Sequence, residues 1–531
     1  MKPKIIFVTG GIISGIGKGV TAASLGCLLK SRGFKILPIK IDPYLNQDAG
    51  TMNPYQHGEV FVTNDGAETD LDLGHYERIL NLDLDRFSNF TTGAVYAKVM
   101  ELERKGDFLG KTIQIIPHVT DEIKARILKP AREKNVDVVI VEIGGTVGDI
   151  EEEAYLEAAR QIFGELGPEN VIFIHVVKID YVFPSEEEKT KPIQQSVRIL
   201  RTSGIVPNFL IVRAKKNFGF EIKEKISLFT NVPLENIIEA PNVSNLYEIP
   251  LNFLNKNLDK IVLKKLGLPE RPINLEHLRK KVKKLKSLKK EITIGLVGKY
   301  VSNPDAYISV EEALKHAGVE VGVRVNILKI NSEEKQLTKK LKTCQGIVVP
   351  GGFGKRGIEG KIKAVKYARE NRVPFLGLCL GLQVAIIEFA RNVCGLKRAN
   401  STEFDKNTPY PVISILPSQQ NVKNLGGTMR LGEYKMSLIK GSLAYKLYQS
   451  ETALERHRHR FEVNPEFHEI LSRYGLVFSG WSVDDERLVD IIELENHPFF
   501  VATQAHPEFK SRLLTPHPLF VGFMKAAIQR K

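Results

Sequence analysis

Lys18 sits among Gly10, Gly11, Gly15, Gly17 and Gly19, a composition that suits the handling of phosphate. Glycines let a backbone approach an anion closely, successive N–H groups point at its oxygens, and a lysine adds a mobile cation. The elements that must position this loop are legible on either side. An apolar run from Ile5 to Thr9 reads as a strand, and Val20, Ala23, Leu25 and Leu28 follow with helical spacing, so a helix N-terminus faces the anion. The match to the common phosphate-loop pattern is incomplete. Ile12 stands where a glycine is usual, and Gly19 replaces the serine or threonine that helps to hold Mg2+, so carboxylates elsewhere must carry the metal. A tight strand-to-helix turn with a solvated lysine is the plainer alternative.

Cys379 is the second centre. In VPFLGLCLGLQVAIIEFA it lies between Gly377 and Gly381, at the end of an apolar strand and the start of an amphipathic helix, the geometry of a nucleophile elbow with sulfur in place of oxygen. Flanking glycines permit the strained turn, and the helix N-terminus favours thiolate over thiol. Upstream, a strand ends in VVPGGFG, where Gly351 and Gly352 can offer N–H groups to an oxyanion. Downstream, FFVATQAHPEF carries His506 and Glu508. Alternation along a strand would put these two on one side, Glu508 fixing the imidazole tautomer while His506 takes the thiol proton. A lone Cys or a lone His-x-Glu is usually structural; the three features in this order on an α/β frame point to nucleophilic catalysis.

The chain has 531 residues, enough for two large domains or about three ordinary ones. Hydrophobic content of 43% and charged content of 26% are those of a globular, non-membrane protein. No stretch approaches the ~20 apolar residues of a membrane span, the first strand begins without a signal-like region, and a cytoplasmic location is expected. The cysteines Cys27, Cys344, Cys379 and Cys394 lack paired metal spacing and read as free thiols, at most one of them chemical. The net charge of +14 calls for anionic partners, nucleic acid or small polyanions.

Short β-rich runs at Lys35 to Ile41, Val138 to Ile143, Val171 to Val177 and Phe209 to Val212, with helical stretches between several of them, predict a parallel sheet with crossover helices. From Leu268 to Glu291 the texture changes to LRKKVKKLKSLKKE, whose only apolar stripe is Leu278, Val282, Leu285 and Leu288. It reads as a solvated linker helix or an anion-binding face. The pattern restarts with EITIGLVGKY, a helix around Val310 to Gly318 and strands at Val323 to Ile330 and Gly346 to Val349. The fold class is therefore α/β with two doubly wound domains: residues 1–267, a basic linker 268–291, and residues 292–531.

The Cys379, His506 and Glu508 set resembles a class I glutamine amidotransferase domain, which hydrolyses glutamine to glutamate and ammonia. The whole chain resembles the CTP synthase family through TGGIISGIGKG, KIDPYLN, GTMNPYQHGEVFVTNDGAETDLDLGHYER, VEIGGTVGDIE, KTKPIQQS, VPGGFGKRG, GLCLGLQ, NSTEF, LGGTMRLG and RHRHRFEVN. That family makes CTP from UTP, ATP and glutamine. The resemblance implies that Gly15, Ile16, Gly17, Lys18, Gly19 and Val20 hold ATP phosphates, with Lys40 near the reacting phosphate. Asp72 and Glu142 would be Mg2+ ligands, which fits the missing loop hydroxyl, and Val243, beside Asn242, would lie at the adenine end. For UTP it implies Ser14, Lys189, Thr190, Lys191, Pro192, Ile193, Gln194 and Lys225. Lys189 and Lys191, one residue apart, suit a triphosphate on one face of an extended segment. Ser14, Asp149, Ile150, Glu151, Lys189, Gln194 and Lys225 would hold inhibitory CTP. Gly352, Leu380, Gly381, Leu382, Gln383, Glu403 and Arg460 would hold glutamine, Arg460 on its carboxylate and Glu403 on its ammonium group.

The same likeness implies GTP as activator, a homotetramer, and a sheltered ammonia passage between the domains with Pro54, His57 and Val60 near its mouth. Neither nucleic acid nor membrane is expected as a partner; the Arg456 to Arg460 cluster has few aromatics for stacking on bases. The chain departs from the family at Ala505, where an aromatic is common, at Ile308, where a lysine is often found, and in a short stretch between Pro417 and Gly426. Two rivals stand beside this reading: another ATP-dependent amidotransferase of the same plan, such as a cobyrinic acid amidase, and a partition-type ATPase that binds nucleic acid through the basic linker, which leaves Cys379 unexplained.

Overall fold

The computed structural model describes residues 3–182, 187–415 and 429–530; the shortened stretch 417–426 lies outside them. The chain divides into two compact units, Met1–Asp48 with His75–Val282, and Ala49–Gly74 with Lys283–Lys531.

The first unit is built on a parallel sheet of β1 (Lys4–Gly10), β2 (Ile36–Asp42), β3 (Asn89–Thr91), β4 (Val138–Ile143), β5 (Val171–Lys178), β6 (Phe209–Ala214) and β7 (Ile237–Pro241). Their order is β7-β6-β5-β1-β4-β2-β3, every neighbouring pair parallel. A parallel sheet covered on both faces needs strands that are apolar throughout, and β4 is VVIVEI, buried at every position. Ile5, Phe7, Ile39, Val139, Val141 and Phe173 share one core, in which Phe7 and Phe173 stack at 5.4 Å. Each such buried side chain contributes about 1.5–3 kcal/mol. β1 is central, and the chain runs to opposite sides of it, so its C-terminal end is the switch point where such folds bind ligands. Helix α1 (Lys18–Ser31) starts there and is buried from Thr21 to Leu29. Its small residues permit the close approach: a Cβ on Gly26 would meet Leu80 at 2.8 Å. The edge strands β3 and β7 were not anticipated from sequence; β3 is only three residues long.

The second unit carries β8 (Glu291–Gly298), β9 (Arg324–Asn331), β10 (Gly346–Val349), β11 (Phe375–Leu378), β12 (Arg430–Leu438), β13 (Thr452–His459), β14 (Val477–Ser482), β15 (Val489–Glu493) and β16 (Phe500–Thr503). The order is β9-β8-β10-β11-β16-β15-β14-β12-β13. Pairs from β9 to β16 are parallel and those from β16 to β13 antiparallel, so this α/β sheet is mixed. The anticipated helix around 310–318 extends over Ile308–Val321. The helix after Cys379, Leu380–Asn392, is buried without a break from Leu380 to Ala390 rather than amphipathic, because it packs between the sheet and a second layer that includes Val412, Ile413 and Val463. The basic stretch does form a helix, Glu276–Ser287, with Leu278 and Val282 buried.

Candidate active site

Three adjacent parallel strands end side by side in the second unit. Val349 of β10 is level with Gly377 of β11, and Leu378 of β11 with Thr503 of β16, so the residues that follow converge. Cys379 has φ 52° and ψ −103°, the strained backbone of a nucleophile elbow, and is held there by its N–H donating to Thr503 O at 2.7 Å. Glycine is required two residues on: a Cβ on Gly381 would stand 2.2 Å from Val349 O. The thiol points to Arg458 O at 3.8 Å and receives Gln504 Nε2 at 3.7 Å. His506 Nδ1 pairs with Glu508 Oε1 at 2.7 Å, and the ring stacks on Phe509. A Cβ on Gly351 would lie 2.9 Å from His506 Cε1 and 3.7 Å from Cys379 Cβ, so thiol, imidazole and glycine turn surround one point.

Alternation along a strand is not what aligns His506 with Glu508. β16 stops at Thr503, and Glu508 lies in a short 3-10 turn, Pro507–Lys510, that starts immediately after His506. Burial by itself lowers the His506 pKa, but Glu508 and the Cys379 sulfur outweigh it and the value rises to about 10. The other cysteines are buried free thiols; burial pushes Cys27 and Cys394 up to about 11, which makes them inert at neutral pH. Ala505 is buried in the apolar core, and its N–H donates to Thr503 Oγ1 at 3.1 Å.

Cys379, His506, Glu508, Gly352 and Arg460 line one cavity of about 380 Å³. Glu403 reaches the same turn, accepting from Gly354 N–H at 2.6 Å, and burial raises its pKa. Of the other glutamine candidates, Leu380 and Leu382 bury their side chains in the core behind the elbow, Gly381 forms the close contact above, and Gln383 donates to Phe461 O at 3.1 Å. These four can face the cavity only through their backbone or through the elbow they support.

Part of the cavity wall comes from far upstream in sequence: Gly50, Thr51, Met52, Pro54, Glu59 and Val60, of the segment Ala49–Gly74 that packs in this unit. His57 is not among the lining residues. Alternation on β13 sets Arg456 and Arg458 on one face and His457 and His459 on the other. Arg456 donates to Asn64 Oδ1 at 2.5 Å and Val62 O at 3.0 Å, and Arg458 to Glu68 Oε1 at 2.8 Å and Gly50 O at 2.9 Å. Two arginines of the basic cluster are thus committed to holding this segment. His457 and His459 are buried 3.0 Å apart, and burial holds both pKa values well below 6.5.

In the first unit, Gly15 and Gly17 take positive φ (67° and 96°), Ser14 is exposed, and Lys18 opens α1 with Gly19 and Val20 in its first turn. Ile16 is buried under the loop. Lys18 folds back over Gly10, where a Cβ would lie 2.7 Å from its Cδ, and donates to Gly145 O beyond β4. Thr146 N–H donates to Asp149 Oδ2 at 3.0 Å, while Ile150 and Glu151 are exposed beside it. Lys189 closes a short strand, Glu187–Lys189, whereas Lys191 begins the helix Lys191–Thr202, so the pair is not on one extended segment; Thr190 turns the chain between them. Pro192 occupies the first turn of this helix, Ile193 is in the core, and Gln194 donates to Thr190 Oγ1 at 3.2 Å. Lys225 lies on the helix Phe220–Thr230 and acts electrostatically on Glu187. Val243 is half-buried after β7.

Glu142 is the strand neighbour of Val8, two residues before Gly10. Its buried carboxylate accepts from Tyr76 OH and lies 3.9 Å from Lys40 Nζ, which is 3.3 Å from Asp42. Asp72 opens the helix Asp72–Leu80 and belongs to the second unit. Among the described residues no group of three or more His, Cys, Asp or Glu forms a ready metal cage. Mg2+ takes one or two carboxylates plus substrate phosphates, so a buried carboxylate beside the phosphate loop is a fitting ligand.

Sequence reasoning missed His175 and Arg213. His175 bridges Thr9 Oγ1 at 2.8 Å and Ser196 Oγ at 2.7 Å, and burial lowers its pKa to about 3, so it is a neutral strut under the loop. Arg213 lies 2.9 Å from where a Cβ on Gly17 would be and donates to Asn242 Oδ1 at 3.2 Å. Both sit in apolar strands, where a single polar residue gives no spacing signal.

Comparison with known proteins matches residues 4–268 to the family described as CTP synthase N-terminus, and residues 303–526 to glutamine amidotransferase class-I. A protein named CTP synthase from Caldanaerobacter subterraneus subsp. tengcongensis is 56% identical over 531 residues, covering 99% of each chain. One of the same name from Carboxydothermus hydrogenoformans is 57% identical over 529 residues, again covering 99% of each. A solved glutaminase domain of Trypanosoma brucei CTPS with bound acivicin is 39% identical, with a TM-score of 0.43, and covers 45% of this chain and 95% of its own.

Proposed function

The chain belongs to the CTP synthase family, an enzyme that makes CTP from UTP with glutamine, and on that footing we propose that it does so with two reactive centres on one polypeptide. The carrying observation is the convergence of Cys379, His506, Glu508 and the Gly351–Gly352 turn on one cavity. The Cys379 sulfur attacks the glutamine amide carbon, and the N–H groups of the turn receive the oxyanion. The carbon–nitrogen bond breaks as His506 passes its proton to the leaving ammonia, leaving a thioester that water cleaves to glutamate and free thiol. Arg460 and Glu403 hold the substrate's carboxylate and ammonium, with Gly352, Leu380, Gly381, Leu382 and Gln383 shaping the pocket.

In the synthase centre, the 4-oxygen of UTP takes the γ-phosphoryl of ATP, ADP leaves, ammonia attacks carbon 4 and inorganic phosphate departs. Gly15 to Val20 cradle the phosphates, and Lys18 and Lys40 neutralise charge as it develops. Bound Mg2+, held by Asp72, Glu142 and phosphate oxygens, would supply further neutralisation of phosphate charge. UTP occupies Ser14, Lys189 to Gln194 and Lys225, and inhibitory CTP adds Asp149, Ile150 and Glu151. The reading includes GTP activation, a homotetramer, a cytoplasmic setting and the domain limits 1–267, 268–291 and 292–531. Among the described residues no helix is long and apolar enough to cross a membrane.

The two centres are separable. Cys379→Ala is expected to abolish CTP formation from glutamine and to keep formation from ammonium salts; equal loss of both refutes the division. Lys18→Ala is expected to remove synthesis with either nitrogen source, and intact output refutes the loop assignment.

A further inference from the structure

We propose that Lys361 is a positioning residue of the glutaminase centre: its ammonium clamps the Pro350 carbonyl and so turns the Gly351 N–H toward the space in front of Cys379. The inference rests on the reading of Cys379 as nucleophile and deepens it. Lys361 lies one turn into the helix Ile358–Glu370, is fully buried, and donates to Pro350 O at 3.1 Å. In a trans peptide the C=O and N–H point in opposite directions, so a cation holding Pro350 O from behind sends the Gly351 N–H the other way. Gly351 stands against the reacting pair and lines the same cavity: a Cβ on it would lie 2.9 Å from the His506 ring and 3.7 Å from Cys379 Cβ. Neither Gly351 N–H nor Gly352 N–H has an acceptor among the described residues, as expected of donors kept for an oxyanion. Lys299 does the same for the far end of the turn, donating to Gly354 O at 2.9 Å and to Phe353 O.

The position is an expensive one for lysine. Ile358, Ile362, Ala364 and Val365 on the same helix are core residues, and an apolar side chain would fill the site without desolvating a cation. Burial, then Lys299 and Arg356, bring the Lys361 pKa down to about 7 against the opposing effect of Cys379; His506, just beyond the end of β16, faces the same turn. A costly buried cation kept beside a reactive sulfur marks a functional role.

The test compares Lys361→Met and Lys361→Arg with the intact full-length enzyme, reading glutamine hydrolysis, ammonium-dependent CTP synthesis and thermal unfolding. Lys361→Met is expected to lower kcat for glutamine roughly 10- to 100-fold, short of the loss from deleting an oxyanion donor outright. KM, unfolding temperature and ammonium-dependent synthesis are expected to stay within about twofold or a few degrees, and Lys361→Arg to recover most of kcat. An unchanged kcat, or a KM that rises as much as kcat falls, overturns the proposal. So does failure of Lys361→Arg to recover. Should Lys361→Met not fold, Lys361→Gln carries the same comparison. Cys379→Ala run alongside separates the two readings: if it still hydrolyses glutamine the nucleophile assignment fails, and if only Lys361→Met behaves as wild type the clamp alone fails.

Discussion

The proton on His506 is held from two sides, by Glu508 at 2.7 Å and by the facing sulfur of Cys379, and this keeps it bound up to about pH 10. Folding therefore raises the imidazole's pKa above its unfolded value near 6.5. Stability from this proton is complete below about 6.5 and is lost as pH rises through about 10. Other buried groups titrate in that window, Lys299 at about 8 among them, so the difference between wild type and Glu508→Gln isolates the term. Wild type is expected to lose more unfolding temperature between pH 7 and 10 than the variant, and parallel curves would contradict the coupling. The same substitution is expected to lower kcat for glutamine by roughly two to four orders of magnitude, as when the acid of a triad is made an amide. At this scale much of the site was legible: a cysteine bracketed by glycines, a glycine pair after a strand and a His-x-Glu have few other uses together. Lys361 and Lys299 were not, because a lysine beside a glycine turn reads as solvated until burial is known.

The elbow works because three strand ends are level, and the fit between them depends on residues without a side chain. Gly381 is the tightest, with Val349 O 2.2 Å from the place of a Cβ. A backbone oxygen cannot step aside as a flexible side chain can, so Gly381→Ala must move the end of β10, the start of the following helix, or both. The expected cost is about 1–3 kcal/mol of stability, read as a lower unfolding temperature. Glutamine hydrolysis is expected to fall to background, while ammonium-dependent synthesis persists; an active Gly381→Ala enzyme would mean that the elbow tolerates displacement. Parallel strands were readable here because they are apolar throughout: Val138–Ile143 and Gly346–Val349 run to the predicted residue. The antiparallel half of the second sheet was not, since β12 and β13 alternate buried with exposed residues and carry arginines and histidines. The 3-10 turn after His506 was hidden for another reason. His506 N–H is taken by Arg456 O of β13, which is not a sheet neighbour of β16, and Pro507 has no N–H, so the strand does not run on, a tertiary effect that local pattern does not record.

Across the chain, sequence order and compact units do not coincide. The family match for the first half runs through residues 4–268, yet Ala49–Gly74 packs with the glutaminase unit and walls the cavity of Cys379. The tie is strong and specific: Glu68, itself buried, holds Arg458 at 2.8 Å and packs against Gly50, where a Cβ would lie 2.3 Å from Glu68 Oε2. Removing the acid leaves a guanidinium largely buried without its counter-charge, and breaking such a pair costs about 3–5 kcal/mol. Arg458 carries the carbonyl that accepts from the Cys379 thiol, so its displacement reaches that sulfur directly. Glu68→Gln is therefore expected to raise KM for glutamine and lower kcat together, and to open residues 49–74 to limited proteolysis at a protease dose that leaves wild type intact. The direction of the cleavage result decides the matter. If the variant hydrolyses glutamine normally and resists protease, the segment is held by its apolar contacts, such as Phe61 on Phe509 at 4.9 Å, and the ion pair is dispensable. If it is cut within 49–74 and loses glutamine-dependent synthesis while ammonium still supports CTP formation, a piece of the N-terminal sequence is a working wall of the glutaminase centre.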